Sequence, residues 1–324
     1  MKKIQEIKVE NKNVLVRIDS DVPVKDEQVT DDERLQASIP TLKYLLENGA
    51  KVTIIGHIGR PNSEEVTELK MRPVEDKLIE LLGTHLNWQI LENLRFNAGE
   101  EENNPEFTEH LIAGQDLFVQ DAFATCHRNH ASTVGVAKLL PSYAGMSVQK
   151  EVENLSKILE SPVRPFIVIV GGAKIEDKKP VIDGLLPIAD KILVGGVVAN
   201  VLQKEKEQLS PKIVLPIDGL PKLTGFDIGP KTIALFKKII ESAKTIFWAG
   251  TMGKYEDPEY SIGSKEIAEA IVASSAKKFA GGGDTTSFIR QNNLQDKFDF
   301  LSTGGGATLE YLSGKKLPGL EVLN

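Results

Sequence analysis

Five arginines in the first half of the chain each lie beside a short turn: Arg17, Arg34, Arg60, Arg95 and Arg128, in the segments VRIDSDVP, DDERLQ, GHIGRP, LENLRF and DAFATCHRNH. A guanidinium fork grips carboxylate or phosphate through two parallel hydrogen bonds and keeps its charge near neutral pH. The second half carries a different chemistry. Its turns GGAKIEDK, GGVVAN, WAGTMGKYE, GGGDTT and GGGATL offer backbone N–H groups that a phosphate can approach with no Cβ in the way. One half is suited to a small, highly anionic molecule and the other to the phosphates of a nucleotide. Two such sites on one chain point to phosphoryl transfer between their ligands.

Each residue also has a plainer reading. A single arginine can be a solvated surface residue or an ion-pair partner, and a glycine after a strand can simply close a tight connection. Lys174 and Lys178 sit near a helix start, where the helix dipole disfavours cations, unless a phosphate supplies the counter-charge. Asp284, in Gly281-Gly282-Gly283-Asp284-Thr285, can ligate Mg2+, which takes one or two carboxylates together with substrate phosphates. It can equally cap the following helix, and spacing alone does not choose. His57, beside Arg60, fits either an anion contact or a structural histidine. Cys126, His127 and His130 lack a second ligand cluster at zinc spacing, so zinc is disfavoured. The Gly-Lys pairs at Gly253 and Gly314 run on into Tyr255 and Lys316, which excludes a Walker A loop, and no G-x-G-x-x-G opens a helix after a strand.

The elements that must position these residues alternate. Apolar runs at 13–18, 51–55, 116–120, 166–170, 191–194 and 245–248 are expected as strands covered on both faces. Helical periods lie between them: Ile39, Leu42, Leu45 and Leu46 stopped by Gly49, and Val74, Leu78, Leu81 and Leu82 between Pro73 and Gly83. A helix near Glu176 or Asp177 would place Pro180 in its first turn. This alternation reads as parallel α/β layers. Val148, Val152, Leu155 and Leu159 keep a helical period over 149–160, broken by the SPVRP segment, which divides the chain into two domains. The net charge of −7 argues against nucleic acid as a partner. One cysteine leaves no internal disulfide, and no run approaches the ~18 apolar residues of a membrane span. With no signal peptide in MKKIQEIKVENKN, a cytoplasmic protein is expected, and a monomer.

Taken in order, these motifs resemble the phosphoglycerate kinase family almost end to end, from VLVRIDSDVP, GHIGRP, LENLRF and DAFATCHRNHASTVG to RPFIVIVGGAKIEDK, FDIGPKT, WAGTMGKYE, GGGDT and STGGGATLEYLSGKKLPG. The resemblance implies an α/β fold of two doubly wound parallel-sheet domains joined by a long helix. Residues 1–148 would bind phosphoglycerate, 149–161 would connect, 162–315 would bind nucleotide, and 316–324 would return to the first domain. It implies reversible transfer between 1,3-bisphosphoglycerate and ADP, giving 3-phosphoglycerate and ATP in glycolysis, with Mg2+. Asp19, Asp21, Arg34, His57, Gly59, Arg60, Arg95 and Arg128 would hold phosphoglycerate. Gly171, Lys174, Lys178, Gly195, Glu256, Gly282, Gly283, Asp284 and Thr285 would hold the nucleotide, with Asp284 on the metal. Arg34 and Lys178 would be catalytic, and the N–H groups of Gly304, Gly305 and Gly306 would receive the transferring phosphoryl oxygens after a hinge closure.

The chain also departs from the family pattern. Asp21 stands where Asn is usual, Val197 and Ala124 where glycine is, Ala249 for Asn and Thr251 for Pro. It is short before LENLRF and between GGVVAN and FDIGPKT, beside the adenine. Two alternatives follow: a phosphoglycerate-binding homologue without turnover, and a kinase for another small carboxylic acid.

Overall fold

The structure is a computed structural model, and it describes residues 1–84 and 87–324. Strand Phe166–Val170 is Phe-Ile-Val-Ile-Val, buried at every position. β-branched side chains favour the extended backbone, and burial on both faces demands cover from helices on each side. Two all-parallel sheets result. The first orders Trp88–Ile90, Lys51–Ile55, Asn13–Arg17, Leu117–Gln120 and Ser142–Ala144. The second orders Ile213–Val214, Lys191–Val194, Phe166–Val170, Thr245–Ala249, Lys277–Ala280 and Phe300–Leu301. In each sheet successive strands step outward one way and then the other. The direction reverses beside Asn13–Arg17 in the first and between Phe166–Val170 and Thr245–Ala249 in the second. A doubly wound sheet opens a crevice at the carboxyl ends of the strands there.

The six expected strands form with bounds shifted by a residue at most. Of the other five, Ile213–Val214 and Phe300–Leu301 are apolar over only two residues, too short for a period to show. Trp88–Ile90 has its middle residue exposed, and Lys277–Ala280 begins with an exposed lysine. Their pairing comes from the neighbouring strand, which periodicity does not register.

The chain divides into two compact units, Met1–Val152 with Lys316–Asn324, and Glu153–Lys315. The tail joins the first unit through backbone bonds from Lys2 N–H to Leu323 C=O and from Gly319 N–H to Cys126 C=O. The first core gathers Val14, Val16, Leu42, Leu45, Ile54 and Leu78. The second gathers Ile167, Ile169, Phe236 and Trp248, with Phe288 edge-on to Trp248 at 5.7 Å. No helix among the described residues is long and apolar enough to cross a membrane.

Two helices differ from expectation. Helix Ile175–Leu185 begins earlier than expected, so Pro180 lies inside it and not in its first turn. The helix expected over 149–160 begins at Met146. Its first N–H groups are met from elsewhere: Met146 N–H donates to Thr41 Oγ1 (2.8 Å) and Ser147 N–H to Asp121 Oδ1 (2.9 Å). Helix ends need such partners for their orphan donors. Gly145 makes room for the cap, since a Cβ there would lie 2.1 Å from Asp121 Oδ1.

Asp121 is fully buried, and burial raises its carboxyl from 3.8 to about 7. The folded protein therefore holds this proton more tightly than the unfolded chain. The associated stability is complete below about pH 4 and lost as pH rises through about 7. Asp121→Asn, neutral and of equal shape, should gain on the order of 1–3 kcal/mol over the native chain at pH 8 and nothing at pH 4. Thermal unfolding at the two pH values checks this.

Candidate functional site

In the first unit the expected anion-binding residues all follow strand ends or begin a helix. Asp19 and Asp21 follow Asn13–Arg17, His57 to Arg60 follow Lys51–Ile55, Arg95 lies in the turn Leu94–Phe96, and Arg128 comes after Leu117–Gln120. Arg34 is the second residue of helix Glu33–Glu47. Its Nη1 donates to Asp19 Oδ1 (3.3 Å) and to the C=O of Asp21 (3.1 Å). Asp19 is buried, which raises its carboxyl, and its Oδ2 has no hydrogen-bond partner among the described residues. Arg17 is 1% exposed, and its Nη2 lies 2.8 Å from His57 Nδ1. A guanidinium only donates, so Nδ1 accepts and Nε2 carries the imidazole proton. Burial, and then Arg17, push the His57 pKa well below its ordinary value. His57 is thus a neutral donor, with Nε2 3.9 Å from Asp21 Oδ2.

Gly59 is held from both sides. Its N–H donates to Asp21 Oδ1 (2.9 Å) and its C=O accepts from Arg95 Nη1 (2.9 Å). The Gly59 N–H is therefore engaged within the protein, and the residue acts by placing Arg60. Arg60 and Arg128 are exposed, and their guanidiniums form no hydrogen bond or ion pair among the described residues. The cluster presents more positive charge than its own carboxylates neutralise, and its two unpaired guanidiniums face solvent.

A buried layer that the motifs did not reveal lies behind it. Glu100 accepts the Ser132 N–H (3.0 Å) and hydroxyl (2.6 Å) and sits 3.7 Å from His130 Nδ1. Burial would raise its carboxyl, yet His130, Arg17 and Ser132 together hold it below the usual range. No spacing signal marks Glu100, because it meets Arg17 and His130 only through the tertiary fold. Arg17 was legible as an arginine beside a turn, but not as the buried centre of the network.

In the second unit, five parallel strand ends run into the glycine turns. Several of these glycines serve packing. A Cβ on Gly171 would lie 2.1 Å from Thr251 O, one on Gly250 2.1 Å from Gly171 O, and one on Gly195 2.8 Å from Met252 Sδ. Thr285 braces the same turn, its buried Oγ1 accepting Gly250 N–H at 2.6 Å. Gly283 is different. A Cβ there would meet nothing within 4 Å, and its φ is not positive, so neither packing nor backbone conformation requires glycine. It opens helix Gly283–Gln291, whose cap position is Gly282. Asp284 is the second helical residue and exposed, so the N-cap reading of Asp284 fails.

Lys178 lies beside this turn, its Nζ 3.6 Å from where a Gly282 Cβ would be. Burial lowers its pKa, opposed by Asp284 and Asp177. Lys174 is exposed at the cap of helix Ile175–Leu185, and Glu256 is exposed in a turn. Of the three candidate donors near the end of the second sheet, Gly304 N–H already donates to Ser302 Oγ (3.2 Å), and Gly306 heads helix Gly306–Leu312. Beside Gly196 lies a small recess lined by Asn200, Leu223, Asp227 and Met252. Its sequence neighbours Val197 and Phe226 are exposed.

A family model described as phosphoglycerate kinase matches residues 4–216 and 205–315. The chain belongs to the phosphoglycerate kinase family. Proteins of that name from Finegoldia magna and Rubrobacter xylanophilus are both 38% identical to it, covering 100% and 99% of this chain and 99% and 97% of their own. The Dictyoglomus turgidum phosphoglycerate kinase is 40% identical over 97% of this chain and 96% of its own. The alignment with the Finegoldia magna protein runs over 390 positions against the 324 residues here, so that relative carries segments absent from this chain. The solved phosphoglycerate kinase structure from Coxiella burnetii superposes with a TM-score of 0.87 at 32% identity, covering 99% of this chain and 98% of its own. That from Pyrococcus horikoshii OT3 gives 0.86 at 32% identity, with 100% and 98% covered. The α/β fold of two doubly wound parallel sheets is the phosphoglycerate kinase fold.

The open space at Gly283 gives a direct test of phosphate approach. Gly283→Ala should leave the thermal midpoint unchanged or slightly raised, since Gly costs a helix about 0.5–1 kcal/mol relative to Ala. ATP affinity should fall by about tenfold or more as the new methyl meets the phosphates. Unfolding curves and ATP titrations on the same variant check both halves.

Proposed function

We propose that this chain catalyses the phosphoglycerate kinase reaction, reversible transfer of a phosphoryl group between 1,3-bisphosphoglycerate and ADP. The observation that carries the proposal is the guanidinium cluster around buried Arg17, in a chain whose relatives bear that name over almost their whole length. In this reading Asp19, Asp21, Arg34, His57, Arg60, Arg95 and Arg128 bind phosphoglycerate, with Gly59 fixing the turn that presents Arg60. Gly171, Lys174, Lys178, Gly195, Glu256, Gly282, Gly283, Asp284 and Thr285 form the nucleotide site. A cytoplasmic monomer completes the proposal.

The chemistry needs no general base. The attacking group is a carboxylate in one direction and a nucleotide phosphate in the other, and both are ionised at neutral pH. The barrier lies in bringing polyanions together and spreading charge over the transferring group. Arg34 is held by Asp19 and the Asp21 carbonyl, so its guanidinium is oriented before the ligand arrives. Lys178 is desolvated, which strengthens its field on a phosphate. The backbone donors of Gly305 and Gly306 would take phosphoryl oxygens, and the Gly304 N–H would join them only by leaving Ser302.

The family's nucleotide carries Mg2+, and the residues here fit it. Asp284 is an exposed carboxylate not engaged as a cap, and no group of three or more metal-binding side chains occurs among the described residues. One carboxylate plus substrate phosphates is the usual Mg2+ arrangement. When bound, the ion would neutralise phosphate charge, and Asp284 would orient it.

A coupled assay for ATP formation from 1,3-bisphosphoglycerate tests the proposal, and absence of turnover with both ligands bound would reject it. Arg34→Ala should lower kcat by roughly 10²-fold or more, the scale of one lost transition-state donor. An almost unchanged kcat would remove Arg34 from the transition state.

A further inference from the structure

Asn93 stands outside the set of anion-binding side chains. It is 3% exposed and immediately precedes the turn Leu94–Phe96 that carries Arg95. Its side-chain amide donates to the C=O of Ile58 (2.8 Å) and of Leu69 (2.8 Å). Its Oδ1 accepts the N–H of Arg95 (3.1 Å). Next to it, Glu92 Oε1 accepts the N–H of Met71 (2.8 Å) and of Asn93 itself (2.7 Å).

Ile58 and Leu69 bound the segment that carries Gly59 and Arg60. Most of that segment is exposed, including Arg60 and residues 62–65. Arg60 has no side-chain partner among the described residues, so its position is set by its backbone alone. Two carbonyls on one buried amide close the segment into a ring, and the same residue ties the ring to the Arg95 turn. Closing a flexible loop costs entropy, and a buried amide whose partners would otherwise be unsatisfied holds it closed. Leu69 adds a second tie, since a Cβ on Gly59 would lie 2.9 Å from its Cδ2. Arg95 Nη1 completes the circuit on the Gly59 carbonyl.

We propose that Asn93 is a positioning residue for phosphoglycerate, registering Arg60 against Arg95 so that the two guanidiniums act as one clamp. The inference rests on the phosphoglycerate reading of this site. A small displacement of a positioning group is costly, because binding and chemistry both depend on sub-ångström placement.

The test is a double-mutant cycle on the full chain, read by titration calorimetry with 3-phosphoglycerate and, separately, ATP. Asn93→Ala should weaken 3-phosphoglycerate about tenfold and leave ATP unchanged. Arg60→Ala and Arg95→Ala should each cost less in the Asn93→Ala background than in the native chain, because the lost register has already disabled them. A merely structural Asn93 would instead give losses that multiply independently, or a parallel loss of ATP affinity, and either result overturns the inference. Asn93→Asp keeps the shape and the acceptor toward Arg95 but lacks both donors. It should couple to Arg60→Ala and to Arg95→Ala, whose guanidinium rests on the same segment through the Gly59 carbonyl, and it decides the matter if the Ala variant does not fold. Native chain that fails to bind 3-phosphoglycerate would remove the functional reading along with this one. Native binding with independent losses would overturn this inference alone.

Discussion

Holding several guanidiniums together with no ligand present is the constraint from which the first unit follows. Two unit charges 4 Å apart interact by about 1 kcal/mol in water and about 4 kcal/mol near a protein surface, so a bare cluster would push itself apart. Counter-charge sits beneath it. Buried Arg17 feels Glu100 and Asp19, and Arg34 is bonded to Asp19. His57 adds a hydrogen-bond donor without adding a charge, because burial and Arg17 keep it neutral. The buried layer is balanced, and the surplus is carried by Arg60 and Arg128 at the surface. A ligand with several negative charges supplies what the fold leaves out.

The second unit offers anion-binding chemistry of another kind. Its donors are backbone N–H groups, which carry no net charge and need no counter-ions, so they can crowd together freely. Crowding is instead limited by sterics, and glycine at Gly171 and Gly250 lets one turn lie against the other. Lys178, half-buried beside Gly282, places one cation among these donors.

The departures from the family pattern divide in the same way. Asp21 brings a carboxylate into the cation cluster, where it accepts the Gly59 N–H and lies 3.9 Å from both Arg34 and His57. Ala249 is buried in its strand and offers no polar group to a phosphate. The shortened stretch after GGVVAN still closes into a hairpin, Gly219–Leu220 with Asp227–Ile228, latched by Asp218 on the N–H groups of Lys231 and Thr232.

The sequence by itself determined the fold class, the six strands of the apolar runs, the helix stops at Gly49 and Gly83, and which arginines and glycines stand beside turns. These are local properties: side-chain period, turn conformation and the charge of a residue type. The tertiary structure alone decided the rest. It placed the five other strands on the sheets, because their pairing comes from neighbours distant in the chain. It started the helix at Met146, because Thr41 and Asp121 cap it from other elements. It moved Pro180 inside a helix, resolved Asp284 away from capping, and engaged the N–H groups of Gly59 and Gly304 within the protein. It also brought Glu100, His130 and Asn93 to the site. A hydrogen bond or a buried charge depends on what lies across the fold, and residues far apart in sequence record nothing of each other until the chain has packed.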